Sequence, residues 1–153
     1  MRRYWPLPIA FILLIGCSAP AYHPNTDLLT PAQRDQLITT ARSYLGTPYK
    51  YGGQSVDGFD CSGLIRTVFR EAVGVKLPRT VRGIYKSTVE VSPGSVFPGD
   101  IVFFRINGGD IDHVGLILDK HRFLHAAESS GVVISNFDDD YYRHRIFCVR
   151  RAN

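Results

Sequence analysis

The hydrophobic period of this chain changes once, near Pro98-Gly99-Asp100, and that change bounds the folds open to it. Before it, apolar residues recur at helical spacing. Leu37, Ile38, Ala41 and Leu45 form one face closed by Gly46, and Leu64, Ile65, Val68, Phe69, Ala72 and Val73 form a second face closed by Gly74. Thr30-Pro31-Ala32-Gln33 starts the first helix with a capping-box pattern, and residues Thr80 to Thr88 are expected to add a short third helix. After the change come β-rich runs over Ile101–Arg105, Val114–Leu118, Arg122–Ala126, Val132–Asn136 and Ile146–Arg150, most of them separated by Gly, Asn or Asp. Helices first and strands afterwards predict an α+β fold, with N-terminal helices packed on a mainly antiparallel sheet of five or six strands. Asp138-Asp139-Asp140 reads as a solvated turn. At 153 residues, 44% of them apolar, the chain is long enough for one domain with a real core.

The first residues follow other rules. Arg2 and Arg3, an apolar run from Ile9 to Ile15 and then Gly16-Cys17-Ser18 have the layout of an export signal, and the run is too short to be a permanent membrane span. Leu14-Ile15-Gly16-Cys17 resembles a bacterial lipobox, which would make Cys17 the lipid-bearing first residue of the mature protein. Ser18 resembles the pattern that directs lipoproteins to the outer membrane. The alternative is a signal peptide cut elsewhere, with an incidental cysteine. The expected organisation is a signal peptide over residues 1–16, a lipidated N-terminus and tether over 17–29, and a domain over 30–153. Loss of Arg2 and Arg3 would lower the net charge from +4 to about +2, which removes the compositional support for nucleic-acid binding.

The chemistry centres on Asp60-Cys61-Ser62-Gly63. Gly46-Thr47-Pro48-Tyr49-Lys50-Tyr51-Gly52-Gly53 must be a loop, so Cys61 falls in the first turn of the second helix. There the unpaired amides and the helix dipole favour an anion, and a thiol pKa near 8.5 can drop to roughly 3.5–7.5 when a cation assists. A bland reading makes Cys61 a small buried hydrophobe and Asp60 a simple N-cap. A thiol nucleophile also needs a base and a group to orient that base, and His113 and His125 lie on consecutive expected strands. His121 and His144 are available as well. The His121/His125 spacing is metal-like, yet two such rings need not converge in a strand or turn, and no metal site is expected. Cys148 alternates as a strand residue and reads as core.

Taken in order, Gly46-Thr47-Pro48-Tyr49, Gly52-Gly53, Asp60-Cys61-Ser62-Gly63, Leu77-Pro78-Arg79, Pro98-Gly99-Asp100-Ile101-Val102-Phe103-Phe104, His113-Val114-Gly115 and Phe123-Leu124-His125-Ala126 resemble the NlpC family of cell-wall cysteine peptidases. The resemblance spans about Gly46 to Arg151 and implies a papain-like fold. It implies Cys61 as nucleophile, His113 as base, His125 as the residue orienting that base, and Tyr49 as an oxyanion donor. It also implies that Tyr51, Asp60 and Ser62 bind substrate, although Tyr51 stands where many relatives carry Trp. Arg79 reads as structural. The implied activity is that of a peptidoglycan endopeptidase acting on stem peptides. The bond is either the one between D-glutamate and diaminopimelate or the D-alanine to diaminopimelate crosslink. No cofactor is expected, the membrane is reached only through a lipid on Cys17, and the protein is expected to be a monomer. Two alternatives remain at this level: a non-catalytic wall-binding lipoprotein, or an acyltransferase or amidase using the same triad.

One expectation follows from parity alone. Side chains alternate faces along a strand and directly opposed residues share a face. If Leu118 pairs with Arg122 across Asp119-Lys120-His121, His125 opposes Gly115 and lies on the His113 face, diagonal to it. An even loop would turn His125 to the other side.

Overall fold

The computed structural model describes residues 29–152. The expected signal peptide, Cys17 and the tether up to residue 28 lie outside the described residues. Leu29, assigned from sequence to the tether, is buried in the core at 5% exposure. Among the described residues no helix is long and apolar enough to cross a membrane.

Helix α1 (Pro31–Ser43) opens with the expected capping box: Gln33 N–H donates to Thr30 Oγ1, and Thr30 N–H donates to Gln33 Oε1. Leu37 and Ala41 are fully buried, whereas Leu45 lies beyond the helix end and is exposed. The glycine-rich loop follows, with a two-residue hairpin of β1 (Gln54–Ser55) and β2 (Gly58–Phe59). Helix α2 (Cys61–Val73) is capped by Asp60 and closed by Gly74, which takes the left-handed conformation at φ +73°. Its Leu64, Ile65, Val68 and Phe69 have no exposed surface, and burying each is worth about 1.5–3 kcal/mol. Helix α3 (Val81–Lys86) is shorter than expected. Thr88, the last residue expected in it, instead begins strand β3 (Thr88–Glu90), too short for any period to reveal and fixed by pairing with the chain's last strand.

The sheet is completed by β4 (Ile101–Phe104), β5 (His113–Ile117), β6 (Arg122–Ala127), β7 (Gly131–Asn136) and, after a one-turn helix α4 (Asp140–Arg143), β8 (Ile146–Ala152). All six strands pair antiparallel in the order β3-β8-β4-β5-β6-β7. The expected α+β class and strand number are observed. Asp139-Asp140 is not merely a turn: Asp139 caps α4 by accepting from Tyr141 N–H.

The sheet has two apolar faces. Ile101, Phe103, Val114, Leu116, Leu124 and Ala126 join α1 and α2 in the main core. The alternate residues Val102, Phe104, Ile117 and Phe123 form a second cluster, partly covered by Val96, Phe137 and Tyr142. One charge network locks α1 to the sheet. Asp100, with no exposed surface, receives Arg34 at 3.3 Å from α1 and Arg151 at 2.8 Å from β8.

Close backbone approach fixes the junction of loop and α2. A Cβ at Gly63 would lie 2.1 Å from the Gly53 carbonyl oxygen, so the loop rests directly on the first helical turn. Gly63→Ala should therefore lower stability by about 1–3 kcal/mol, as overpacking does. Gly94→Ala, where nothing lies within 4 Å of the new Cβ, should leave the thermal midpoint unchanged. Thermal melts of the two variants side by side test the assignment, which fails if Gly63→Ala melts with the wild type.

Candidate active site

Asp60 builds the start of α2. Its Oδ1 accepts from Gly63 N–H at 2.7 Å and from Ser62 Oγ at 3.2 Å, and its Oδ2 accepts from Gly52 N–H at 3.0 Å. Arg79 grips both carboxylate oxygens, at 3.0 and 2.5 Å, and also donates to Ser62 Oγ at 2.9 Å. Burial alone would raise the Asp60 pKa, but the bonds from Arg79 and Gly63 outweigh it and hold the carboxyl below its usual value. The structural reading of Arg79 holds, and its partner is the cap of the nucleophile's helix. Asp60 and Ser62, expected to bind substrate, are 8% and 5% exposed and turned into this network. Tyr51 is 91% exposed on the adjacent turn.

Cys61 is buried and free, and Cys148 is free and half-buried on β8. The lowered thiol pKa expected at a helix N-terminus is not found. Burial pushes the thiol up to about 11 and the Asp60 charge adds to that. Backbone bonds from Val114, Ser62 and Cys61 itself act in the opposite direction without prevailing. The physical reasons are, first, the burial of the sulfur and, second, that the positive end of α2 already holds an anion, the Asp60 carboxylate. Tyr49, in the loop beside the sulfur, has its hydroxyl pKa raised by burial, with the Glu128 charge adding to it, so it stays protonated as a donor.

The histidines arrive from the sheet. The ladder pairs Leu116 with Leu124 and Ile117 with Phe123, and Leu118 N–H donates to the Arg122 carbonyl across the three-residue loop. That is the odd register required by parity. It sets Gly115 against His125, where a Cβ on Gly115 would meet the Phe123 ring at 2.8 Å and the His125 Cβ at 3.4 Å. His113 Nε2 lies 2.8 Å from His125 Nδ1, with ring planes at 87°. Both rings occupy the sheet face opposite α2. They are nonetheless one residue from the sulfur, because Val114, whose backbone bonds to Cys61, directly follows His113. Burial lowers the His113 pKa to about 4 and the His125 pKa to about 3. At neutral pH the thiol and the imidazole are therefore both neutral, in place of the thiolate that the helix start was expected to favour.

His125 is 1% exposed, and its far nitrogen Nε2 has two partners that the sequence reading missed: Ser135 Oγ at 2.9 Å and the Tyr142 hydroxyl at 3.3 Å. Asp139 ahead of Tyr-Tyr-Arg was the available signal for Tyr142, as a cap before one helical turn. His121 instead sits in the exposed turn, 3.7 Å from Asp138, and shares no site with His125. His144 lies apart, on the exposed end of α4. A cleft of about 550 Å³ opens along the pair, walled by Asn107, Asp112, His113, His125, Glu128 and Tyr142.

A thiol at a helix start, bonded through the Val114 backbone to the strand that carries an oriented imidazole, is the arrangement of a cysteine-type hydrolase of papain-like build. The chain belongs to the NlpC/P60 family, whose sequence profile matches residues 46–151. It is 33% identical over 156 residues to the probable endopeptidase NlpC of Escherichia coli K12, covering 97% of this chain and 99% of that protein. It is 36% identical over 124 residues to the gamma-DL-glutamyl hydrolase of Bacillus subtilis 168, covering 79% of this chain but 30% of that one. A lipoprotein-like NLP/P60 family protein from Staphylococcus aureus Mu50 superposes with a TM-score of 0.72 at 32% identity, covering 81% of this chain and 42% of that chain.

The buried imidazoles predict the pH dependence of stability. Both stay neutral in the folded protein down to about pH 4, while in the unfolded chain they take up protons below about 6.5. The unfolded state thus binds more protons in that window, and stability should fall as pH drops from 6.5 to 4, by at most about 1.4 kcal/mol per unit for each histidine. The Asp60 contribution, from a lowered carboxyl pKa, is lost only below about pH 4. Melts at pH 7 and pH 5 should show a smaller drop for His125→Asn than for wild type, and equal drops would contradict the buried neutral state.

Proposed function

We propose that this protein is a peptidoglycan endopeptidase that hydrolyses amide bonds in stem peptides by a Cys-His-His thiol mechanism. The observation that supports it most strongly is the 2.8 Å bond between His113 Nε2 and His125 Nδ1. It leaves His113 Nδ1 as the only ring nitrogen free to take the Cys61 proton.

Because thiol and imidazole rest neutral, the proton moves to His113 Nδ1 as the sulfur attacks the substrate carbonyl. The carbonyl oxygen becomes an oxyanion held by the Tyr49 hydroxyl and the Cys61 backbone N–H, a contribution of about 3 kcal/mol for one such donor. The imidazolium of His113 then protonates the leaving amine. Water, deprotonated by the same nitrogen, hydrolyses the thioester and restores Cys61. Tyr51 contributes the exposed rim of the substrate groove, beside Asp60 and Ser62. The bond is either D-glutamate to diaminopimelate or the D-alanine to diaminopimelate crosslink. Anchoring through a lipid on Cys17, at the periplasmic side of the outer membrane, would keep the domain next to its polymer.

Cys61→Ala should abolish release of soluble fragments from purified sacculi while leaving the circular dichroism spectrum unchanged. His125→Ala should retain more activity than His113→Ala, since misorienting a base costs less than removing it. Fragment masses from the wild-type digest identify the bond. Digestion by Cys61→Ala, or loss of the wall fragments only through sequestration without any bond cleaved, would favour a wall-binding protein or another chemistry.

A further inference from the structure

The thiol mechanism makes a demand on His125 that reaches one shell further out. His113 can accept the thiol proton only if Nδ1 carries a lone pair, so its own proton must sit on Nε2. That N–H points at His125 Nδ1 from 2.8 Å, and so His125 Nδ1 must accept. The His125 proton is thereby forced onto Nε2. A neutral imidazole does not make this choice unaided; it is set by what the other nitrogen faces.

We infer that Ser135 and Tyr142 are positioning residues that fix this tautomer. Ser135 Oγ lies 2.9 Å from His125 Nε2 and the Tyr142 hydroxyl 3.3 Å from it. Both oxygens can accept. Ser135 also hydrogen-bonds Tyr142, a contact that acts to lower the tyrosine pKa against the raising effect of burial. When its single proton is directed to Tyr142, Ser135 offers only lone pairs to the imidazole. His125 is 1% exposed, so water has little access to replace a lost hydroxyl.

The fold delivers the two hydroxyls separately. On the sheet, Ser135 opposes Phe123 and Val133 opposes His125, which puts Ser135 diagonal to His125 on the same face. Tyr142 comes from α4, and its ring packs edge-on at 5.3 Å from His125 and 5.0 Å from Phe123. The chain of contacts runs from His113 through His125 to Ser135 and Tyr142, with no ionised member to pull protons the other way. This explains a capped single turn between two strands where a plain loop would have sufficed.

The inference rests on the thiol mechanism proposed above, but its first readout does not require turnover. In the full-length protein labelled with 15N-histidine, the imidazole shifts at pH 7 should show His125 protonated at Nε2 and bare at Nδ1. The Ser135→Ala/Tyr142→Phe double variant should lose that single-tautomer signature. On a soluble stem-peptide substrate its kcat should fall about 10- to 100-fold, the scale seen when a partner orienting a histidine is removed, with KM within about twofold. Ser135→Thr, which keeps the hydroxyl, should stay close to wild type in both measurements. A wild-type proton on His125 Nδ1 overturns the inference, as does a double variant with unchanged kcat. If the double variant does not fold, the wild-type spectrum and the kcat of Ser135→Ala against Ser135→Thr decide in the same way. A Cys61→Ala protein that still cut substrate would defeat the thiol mechanism and leave the tautomer assignment standing on the spectrum.

Discussion

The Asp60 carboxylate joins parts of the chain that would otherwise be independent. It caps α2 through Gly63, holds the glycine-rich loop through Gly52, and fixes Arg79, which in turn ties Ser62 and the segment before α3. A capping carboxylate usually stabilises one helix end by about 1 kcal/mol. Here it also sets the height of the loop above the helix, because Gly63 lies against the Gly53 carbonyl and leaves no room for slippage. Tyr49 and Cys61 are thereby positioned by the same anion. Removing one partner would strand a part-buried charge as well as free the loop.

That anion also shapes the electrostatics of the sulfur. A bare helix N-terminus favours a thiolate, but with Asp60 already seated there and Cys61 buried, the neutral thiol is preferred. The histidines match it, each buried and neutral near pH 7. On the mechanism proposed above, charge appears only as the proton moves, when the imidazolium and the developing oxyanion each meet a prepared partner.

The sheet contributes through register. His113 and His125 meet because an odd loop pairs Leu118 with Arg122, and because Gly115 offers no side chain where the rings and Phe123 crowd together. The helix and the histidines use opposite sheet faces. The contact between them is made where the β5–β6 ladder has ended and the Val114 backbone turns to the sulfur. The buried Asp100 pair with Arg34 and Arg151 keeps α1 and the sheet from shifting against each other.

Much of this was written in local sequence, because its causes are local. The 3.6-residue stripe from Leu64 to Ala72, the Thr30 and Asp60 caps, the Gly74 stop and the alternating runs after Asp100 each depend on neighbours within a few positions. The face shared by His113 and His125 was legible too, since parity through a short hairpin is arithmetic on the chain. What tertiary structure alone decided depends on groups distant in sequence. Strand β3 exists because Thr88–Glu90 finds Ala152–Arg150, 60 or so residues on, which no local pattern signals. Ser135 and Tyr142 become partners of His125 only when β7 and α4 fold back over it. The protonation state of Cys61 follows from total burial and a nearby anion, quantities that a helix position cannot supply by itself.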